Sequence, residues 1–312
     1  MSIIVHNQSY FCGGLGDMFR GIITIFTCAK KYNVDYYVSF EGNLELNECF
    51  NVKPIPDRAV YLQSMNINLL DRLLKPEHNH ILSTMFNIID LNPPALYNII
   101  SNACNVLSKE DFLSSVNFIT THVIKPSSIV ESYIQTTLST NKLIENNYVS
   151  FHFRCGDLYI AKENNAETNK HRDTRFLINE DSYSKYEYAV KSFILKYNIN
   201  TLKIPIVIHS DCLEFKNTLI ARLIQSHVAN VISLDLDIQH TANKIGINFS
   251  SSYIETVAEF YVMSRAKSIV MYDVYSGFSH LASIIGDKPL YTLCDDERIN
   301  CLGPREVIRI DH

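Results

Sequence analysis

Tyr148-Val-Ser-Phe-His-Phe-Arg-Cys-Gly-Asp157 reads as a buried strand running straight into a polar turn. Its first six residues are mostly aromatic or β-branched, with a polar cluster where the run stops. Comparable runs recur at Ile204-Pro-Ile-Val-Ile-His209, Val231-Ile-Ser-Leu-Asp235, Ser268-Ile-Val-Met-Tyr272 and Pro289-Leu-Tyr-Thr-Leu293. Between them the apolar spacing predicts helices over about 182–197, 213–226, 251–265 and 278–286. Strands alternating with helices of this length predict an α/β unit built on a doubly wound parallel sheet.

Toward the N-terminus the same grammar starts again. A short strand over 3–6 leads into Cys12-Gly-Gly-Leu-Gly-Asp17, and Phe19, Ile22, Ile23, Phe26 and Ala29 then fall on one helix face. Tyr36-Tyr-Val-Ser-Phe40 follows as a second strand. Strand, glycine turn, helix, strand opens a parallel α/β domain. From about 44 to 125 the pattern is less regular, and it predicts helices near 66–75 and 95–106. The expected boundary lies around 141–147, giving domains 1–146 and 147–312 with a cleft between them.

Composition narrows the function classes. The 312 residues are 46% hydrophobic and 20% charged, enough apolar surface to offset the entropy of ordering, so a disordered chain is excluded. A net charge of -5 argues against a nucleic-acid partner, which would attract a basic excess. None of the eight cysteines forms a CxxC pair, so a zinc-ribbon site is not expected. The N-terminus has no basic segment before an apolar run, and no stretch approaches the ~20 apolar residues of a membrane span. Reduced cysteines and a cytoplasmic location are the expectation.

In parallel sheets, ligands bind beyond the carboxyl ends of the strands. Four polar or glycine-rich clusters fall at such ends: Gly13-Gly-Leu-Gly-Asp17, His152-Phe-Arg-Cys-Gly-Asp157, His209-Ser-Asp211 and the segment 273–279. The glycines let backbone approach a ligand and lead into a helix N-terminus, which favours anions. His152 and Arg154 share one face of their strand, and a guanidinium there suits a phosphate bidentately. Asp157 has the alternative role of holding the turn. Ser276 and Ser279 precede or open a helix and can hold phosphate oxygens, although a serine there is ordinarily an N-cap. Asp235-Leu-Asp237 has the form of a divalent-cation pair, but no further shell is apparent. The polar stretch 162–175 reads as a loop over the cleft.

Gly13-Gly-Leu-Gly-Asp-Met-Phe-Arg20, together with His152-Phe-Arg-Cys-Gly-Asp157, Ile254-Glu-Thr-Val-Ala-Glu-Phe260 and Ser276-Gly-Phe-Ser279, resembles the motif set of one superfamily. That superfamily contains the α1,2-, α1,6- and protein O-fucosyltransferases, with its H-x-R-x-G-D signature. The resemblance implies two Rossmann-like domains of the GT-B type, an inverting glycosyltransferase mechanism and GDP-fucose as donor. The acceptor would be a glycan or glycoprotein, and no metal would be needed. It implies Arg154 on the β-phosphate, His152 and Glu259 near the guanine, Ser276 at the phosphates, and Gly14 and Gly16 at the interdomain cleft. Asp211, Phe278 and Ser279 complete the candidate donor-binding set. Candidates for the base that takes the acceptor proton are Asp17, Asp157 and Glu163. Asp17 stands where many members have Asn, and Cys155 where several have a second Arg. Transfer from another GDP- or UDP-sugar, and a non-catalytic glycan or nucleotide binder, are the alternatives.

Overall fold

The computed structural model describes residues 2–8, 14–41, 44–57, 59, 62–69, 86, 95–101, 109–155, 180–234, 236, 250–272, 275–292 and 306–310. Two parallel sheets organise them. The first takes β1 (Ile3–Asn7), β2 (Asp35–Ser39), β4 (Gln63–Leu69) and β5 (Ala95–Ser101) in the order β2-β1-β5-β4. A small antiparallel pair, β3 (Phe50–Val52) with β6 (Ile124–Pro126), lies apart from it. The second sheet takes β7 (Val149–Phe153), β8 (Ile206–Ser210), β9 (Val231–Ser233), β10 (Ser268–Met271), β11 (Leu290–Thr292) and β12 (Val307–Arg309). Its order is β12-β11-β10-β7-β8-β9, and every pairing is parallel. Read from β9, the strands run 3-2-1-4-5-6 in chain order, which is the Rossmann arrangement.

Helices pack around both sheets. They are α1 (Leu15–Lys31), α2 (Leu44–Cys49), α3 (Lys109–Phe118), α4 (Ser128–Thr140), α5 (Glu180–Lys196), α6 (Leu213–Gln225), α7 (Ser250–Ser264) and α8 (Gly277–Gly286). Strand alternation sorts the core. Val149, Phe151, Phe153, Ile206, Ile208 and Val270 point to one face, where they meet Val190 and Phe193 of α5 and Phe215, Leu219 and Leu223 of α6. Val207, Ile269 and Met271 point the other way, into a second apolar cluster. That cluster also holds Ile4, Phe19, Phe26, Tyr97, Val257, Phe260 and Leu281, so it runs without a break from the first sheet to the second.

The strands and helices expected over the second half are present, each within two residues or so of its reading. Where the helices near 66–75 and 95–106 were expected, the described residues form strands, β4 up to Leu69 and β5 over Ala95–Ser101, while 70–75 and 102–106 lie outside the described residues. Ala95, Tyr97 and Ile99 are buried at period two, and β5 lies between β1 and β4 with pairing on both edges. Sheet context there outweighs local propensity. Helix α1 also differs from its one-faced reading. Leu15 to Ala29 is buried all round except for Asp17, because α1 packs against the first sheet, α3 and α8 together. Among the described residues, Cys28, Cys49, Cys155 and Cys212 are free and buried, and no helix is long and apolar enough to cross a membrane.

Candidate functional site

In a 3-2-1-4-5-6 sheet the ligand crevice opens where the strand order reverses, outside the carboxyl ends of the first and fourth strands. Here those are β7 and β10, and the segments leaving them carry Arg154 and Ser276. In the first sheet the reversal lies between β1 and β5, and the segment leaving β1 leads to Gly14 and α1. The two reversal points meet. Gly16 in the first turn of α1 abuts Gly277 in the first turn of α8 so closely that a Cβ on Gly16 would lie 2.2 Å from the Gly277 carbonyl oxygen. Two helix N-termini are thereby brought together, each with unsatisfied N–H groups and the positive end of its dipole.

The glycines of the N-terminal motif have different roles. Gly14 is the N-cap of α1 with φ -85 and ψ 166, and a Cβ there would meet nothing within 4 Å among the described residues. Open space at Gly14 leaves the backbone approachable, whereas Gly16 is demanded by helix packing. Gly16→Ala is therefore expected to force α1 and α8 apart, because the obstacle is backbone and cannot swing aside. The cost should be at least ~3 kcal/mol, lowering Tm by roughly 5–10 °C. Gly14→Ala should leave Tm nearly unchanged, and equal melting of the two variants would refute this division of labour.

Asp17 and Arg20 form an ion pair one turn apart on α1. Arg20 is buried (1% exposed) and Asp17 is partly open (32%). Arg20 Nη1 donates to the Tyr275 hydroxyl at 2.8 Å, which in turn lies 3.1 Å from His280 Nδ1. The buried guanidinium thus ties the start of α1 to the residue before Ser276. Nothing in the sequence pattern selected Arg20, although a charge three residues after Asp17, on a helix otherwise apolar from Phe19 to Phe26 apart from glycine and threonine, was the available signal.

Ser276 is the N-cap of α8 but its hydroxyl caps nothing, and Oγ is buried without a partner among the described residues. A buried polar atom left unmatched is costly unless something else pairs with it. The ordinary N-cap alternative for Ser276 is therefore not what the geometry displays. Ser279 Oγ lies 3.5 Å from the Ser276 carbonyl oxygen. Phe278 stacks on His152 with centroids 5.7 Å apart and meets Phe260 edge-on at 5.2 Å. Phe260 stacks on Phe19 of α1 at 5.3 Å, so an aromatic row links α1, α7, α8 and β7.

His152, Ser150 and His209 face the side of the sheet that looks toward α7, opposite to Phe151 and Phe153. Glu259 of α7 is fully buried, and its Oε1 lies 2.6 Å from His209 Nδ1. His209 Nε2 lies 3.0 Å from Ser150 Oγ, completing a buried chain. Glu259 Oε2 and His152 Nδ1 have no partner among the described residues. The sequence marks His209 only as part of the strand-end cluster with Asp211 and does not mark Ser150, because the link from His209 to Glu259 crosses fifty residues of chain. Asp211 is engaged differently: its Oδ1 accepts from the Cys155 N–H at 2.6 Å, fixing the turn that carries the half-buried Arg154. Asp157, Glu163, Asp235, Asp237, Gly13 and the stretch 162–175 lie outside the described residues. Among the described residues no cluster of His, Cys, Asp or Glu is arranged to hold a metal ion.

Burial, with lesser contributions from His209 and Arg154, pushes the His152 pKa down to about 3, so the ring is neutral in the folded protein. An unfolded His protonates near 6.5. Unfolding therefore takes up a proton between these values, and stability present above pH 6.5 is lost as pH falls toward 3. At pH 5 this one group should cost about 2 kcal/mol. Denaturant unfolding at pH 7.5 and pH 5 should show a smaller acid penalty in His152→Asn by about that amount. An identical pH dependence in both proteins contradicts the assignment.

No protein-family model matches the chain, and no curated protein matches it by sequence. Solved structures do resemble it. A mutant of Arabidopsis thaliana FUT1 in complex with GDP matches with TM-score 0.58, covering 97% of this chain and 73% of that one at 11% identity. NodZ α-1,6-fucosyltransferase soaked with GDP-fucose matches with TM-score 0.52, covering 91% and 92% at 11% identity. The fucosyltransferase NodZ from Bradyrhizobium matches with TM-score 0.52, covering 90% and 92% at 12% identity. The fold is thus fucosyltransferase-like and of the GT-B type, two Rossmann-like units with a crevice between them.

Proposed function

We propose that this chain is an inverting glycosyltransferase that moves fucose from GDP-fucose to a hydroxyl of a glycan or glycoprotein. Residues 147–312 form its donor side and residues 1–146 its acceptor side. One observation carries this reading most: the first turns of α1 and α8 meet at Gly16 and Gly277, next to a buried Ser276 hydroxyl with no partner among the described residues. Arg154 stands at the neighbouring strand end. That constellation suits a diphosphate. The fold shared with fucosyltransferase structures points the same way.

In this reading Arg154, Ser276, Ser279 and the first amides of α1 and α8 hold the diphosphate, while Gly14 leaves its backbone open to it. Glu259 Oε2 accepts from the adjacent N–H donors of a guanine edge, and neutral His152, backed by Phe278, lines the same side. Asp211 positions the Arg154 turn through the Cys155 amide. The acceptor oxygen attacks the anomeric carbon from the face opposite the diphosphate. The bond from that carbon to the phosphate oxygen breaks, and GDP departs with the electron pair. The acceptor proton passes to a carboxylate among Asp17, Asp157 and Glu163. Arg154 and the helix termini supply the counter-charge, so the reaction needs no metal.

A panel of GDP- and UDP-sugars, assayed for nucleotide release with and without EDTA, tests this directly. GDP-fucose turnover that survives chelation is the expected result. Turnover of a UDP-sugar alone moves the donor assignment. Tight GDP binding without turnover of any donor makes the chain a non-catalytic binder. Loss of activity in EDTA, restored by Mg²⁺ or Mn²⁺, promotes Asp235 and Asp237 to metal ligands.

A further inference from the structure

We propose that Cys155 and Cys212 form a dithiol modification site, which hydrogen peroxide closes to a disulfide. The site follows from strand register. Phe153 of β7 pairs with Ser210 of β8, and each cysteine lies two residues beyond that pair. Neighbouring parallel strands are ~4.8 Å apart, within the ~4.4–6.8 Å between Cα atoms that a disulfide spans. Both side chains enter the same apolar cluster, on the face away from Glu259. The Ser210 hydroxyl joins them: it lies 3.1 Å from Cys155 Sγ and accepts from the Cys212 N–H at 3.2 Å.

The two sulfurs have unlike surroundings, as an attacking and a resolving thiol require. Cys212 is the N-cap of α6, and its Sγ accepts from the Phe215 N–H at 3.5 Å. A hydrogen bond from the Cys155 thiol, helped by that amide, lowers the Cys212 pKa against the effect of burial. Burial pushes the Cys155 thiol up, so Cys155 keeps its proton. The Cys212 thiolate attacks peroxide: an S–O bond forms, the O–O bond breaks, and hydroxide leaves and is protonated to water. The Cys155 sulfur then displaces the sulfenic oxygen: an S–S bond forms, the S–O bond breaks, and a second water leaves with the Cys155 proton. Two thiols are oxidised by two electrons and one peroxide is reduced. Both cysteines are nearly buried, which restricts the reaction to an oxidant close to water in size.

The consequence for binding rests on the function proposed above; the disulfide does not. Arg154 precedes Cys155, and Asp211, which holds the Cys155 amide, precedes Cys212. A covalent bond of ~2.05 Å between the sulfurs draws the turn after β7 toward β8, and so away from β10 and Ser276.

The test treats the whole wild-type protein with hydrogen peroxide and digests it without reductant. Mass spectrometry should find a Cys155–Cys212 linked peptide that dithiothreitol removes. Calorimetry should show GDP affinity falling about ten-fold or more on oxidation and returning on reduction, the worth of one charge-assisted contact. Cys212→Ser should bind GDP normally and keep that affinity in peroxide, and neither Cys212→Ser nor Cys155→Ser should yield the linked peptide. Absence of the linked peptide overturns the site, and a linked peptide with unchanged GDP affinity overturns its effect on the turn. If reduced protein binds no GDP, the functional reading fails while the linked peptide still decides the dithiol.

Discussion

Arg154→Ala is expected to be folded and to lose about 10²–10³-fold in turnover, roughly 3–4 kcal/mol in the barrier. The reason is where charge appears. In the proposed reaction the departing diphosphate gains negative charge as the sugar bond breaks, so a fixed pair of N–H donors would stabilise the transition state more than the bound donor. Turnover should therefore fall further than GDP affinity. Arg154→Lys should rescue only in part, because lysine keeps the charge but replaces a planar fork with a point charge on a flexible stem. Asp211 fixes the turn from which this guanidinium projects, through the amide of the very next residue. Retention of more than about a tenth of wild-type turnover by Arg154→Ala would remove the phosphate clamp from the mechanism. Arg154 would then be a structural residue of that turn.

Asp17→Asn is expected to lower turnover by ~10²–10⁴-fold while donor binding persists, if Asp17 is the group that takes the acceptor proton. Its position suits a general base, since the carboxylate is partly open, sits in the first turn of α1 and is oriented by the buried Arg20. Asparagine keeps an oxygen for Arg20 to donate to, so the ion pair is weakened without stranding the guanidinium, and the loss of stability should be modest. Thermal melting measured beside kinetics separates the two effects. A variant with near-normal turnover moves the base elsewhere, and Asp157→Asn and Glu163→Gln then carry the same test.

The second half of the chain was legible because a strand covered on both faces must be apolar on both faces. Runs such as Ile204-Pro-Ile-Val-Ile-His209 therefore stand out whatever surrounds them. The polar residues ending those runs were legible for the same reason, since His152, Arg154 and Asp211 interrupt an apolar pattern where a parallel sheet receives its ligands. The strands β4 and β5 escaped the reading. Met65-Asn-Ile-Asn-Leu69 alternates strictly, which is the strand period, so β4 was legible and was misread; Ala95-Leu-Tyr-Asn-Ile-Ile100 alternates less cleanly, and pairing of β5 with β1 and β4 decides it.

By itself the sequence determined the α/β alternation and the start of α1 just after Gly14, because each depends on neighbours within a few residues. The tertiary structure alone decided what those parts do together. That Gly16 faces Gly277, that Arg20 reaches Tyr275 and that His209 clasps Glu259 depend on contacts between residues 50 to more than 250 positions apart. No local pattern encodes such pairs. They arise because one continuous apolar core draws α1, α7 and α8 together, and packed side chains leave each buried polar group only the partners that this packing brings within reach.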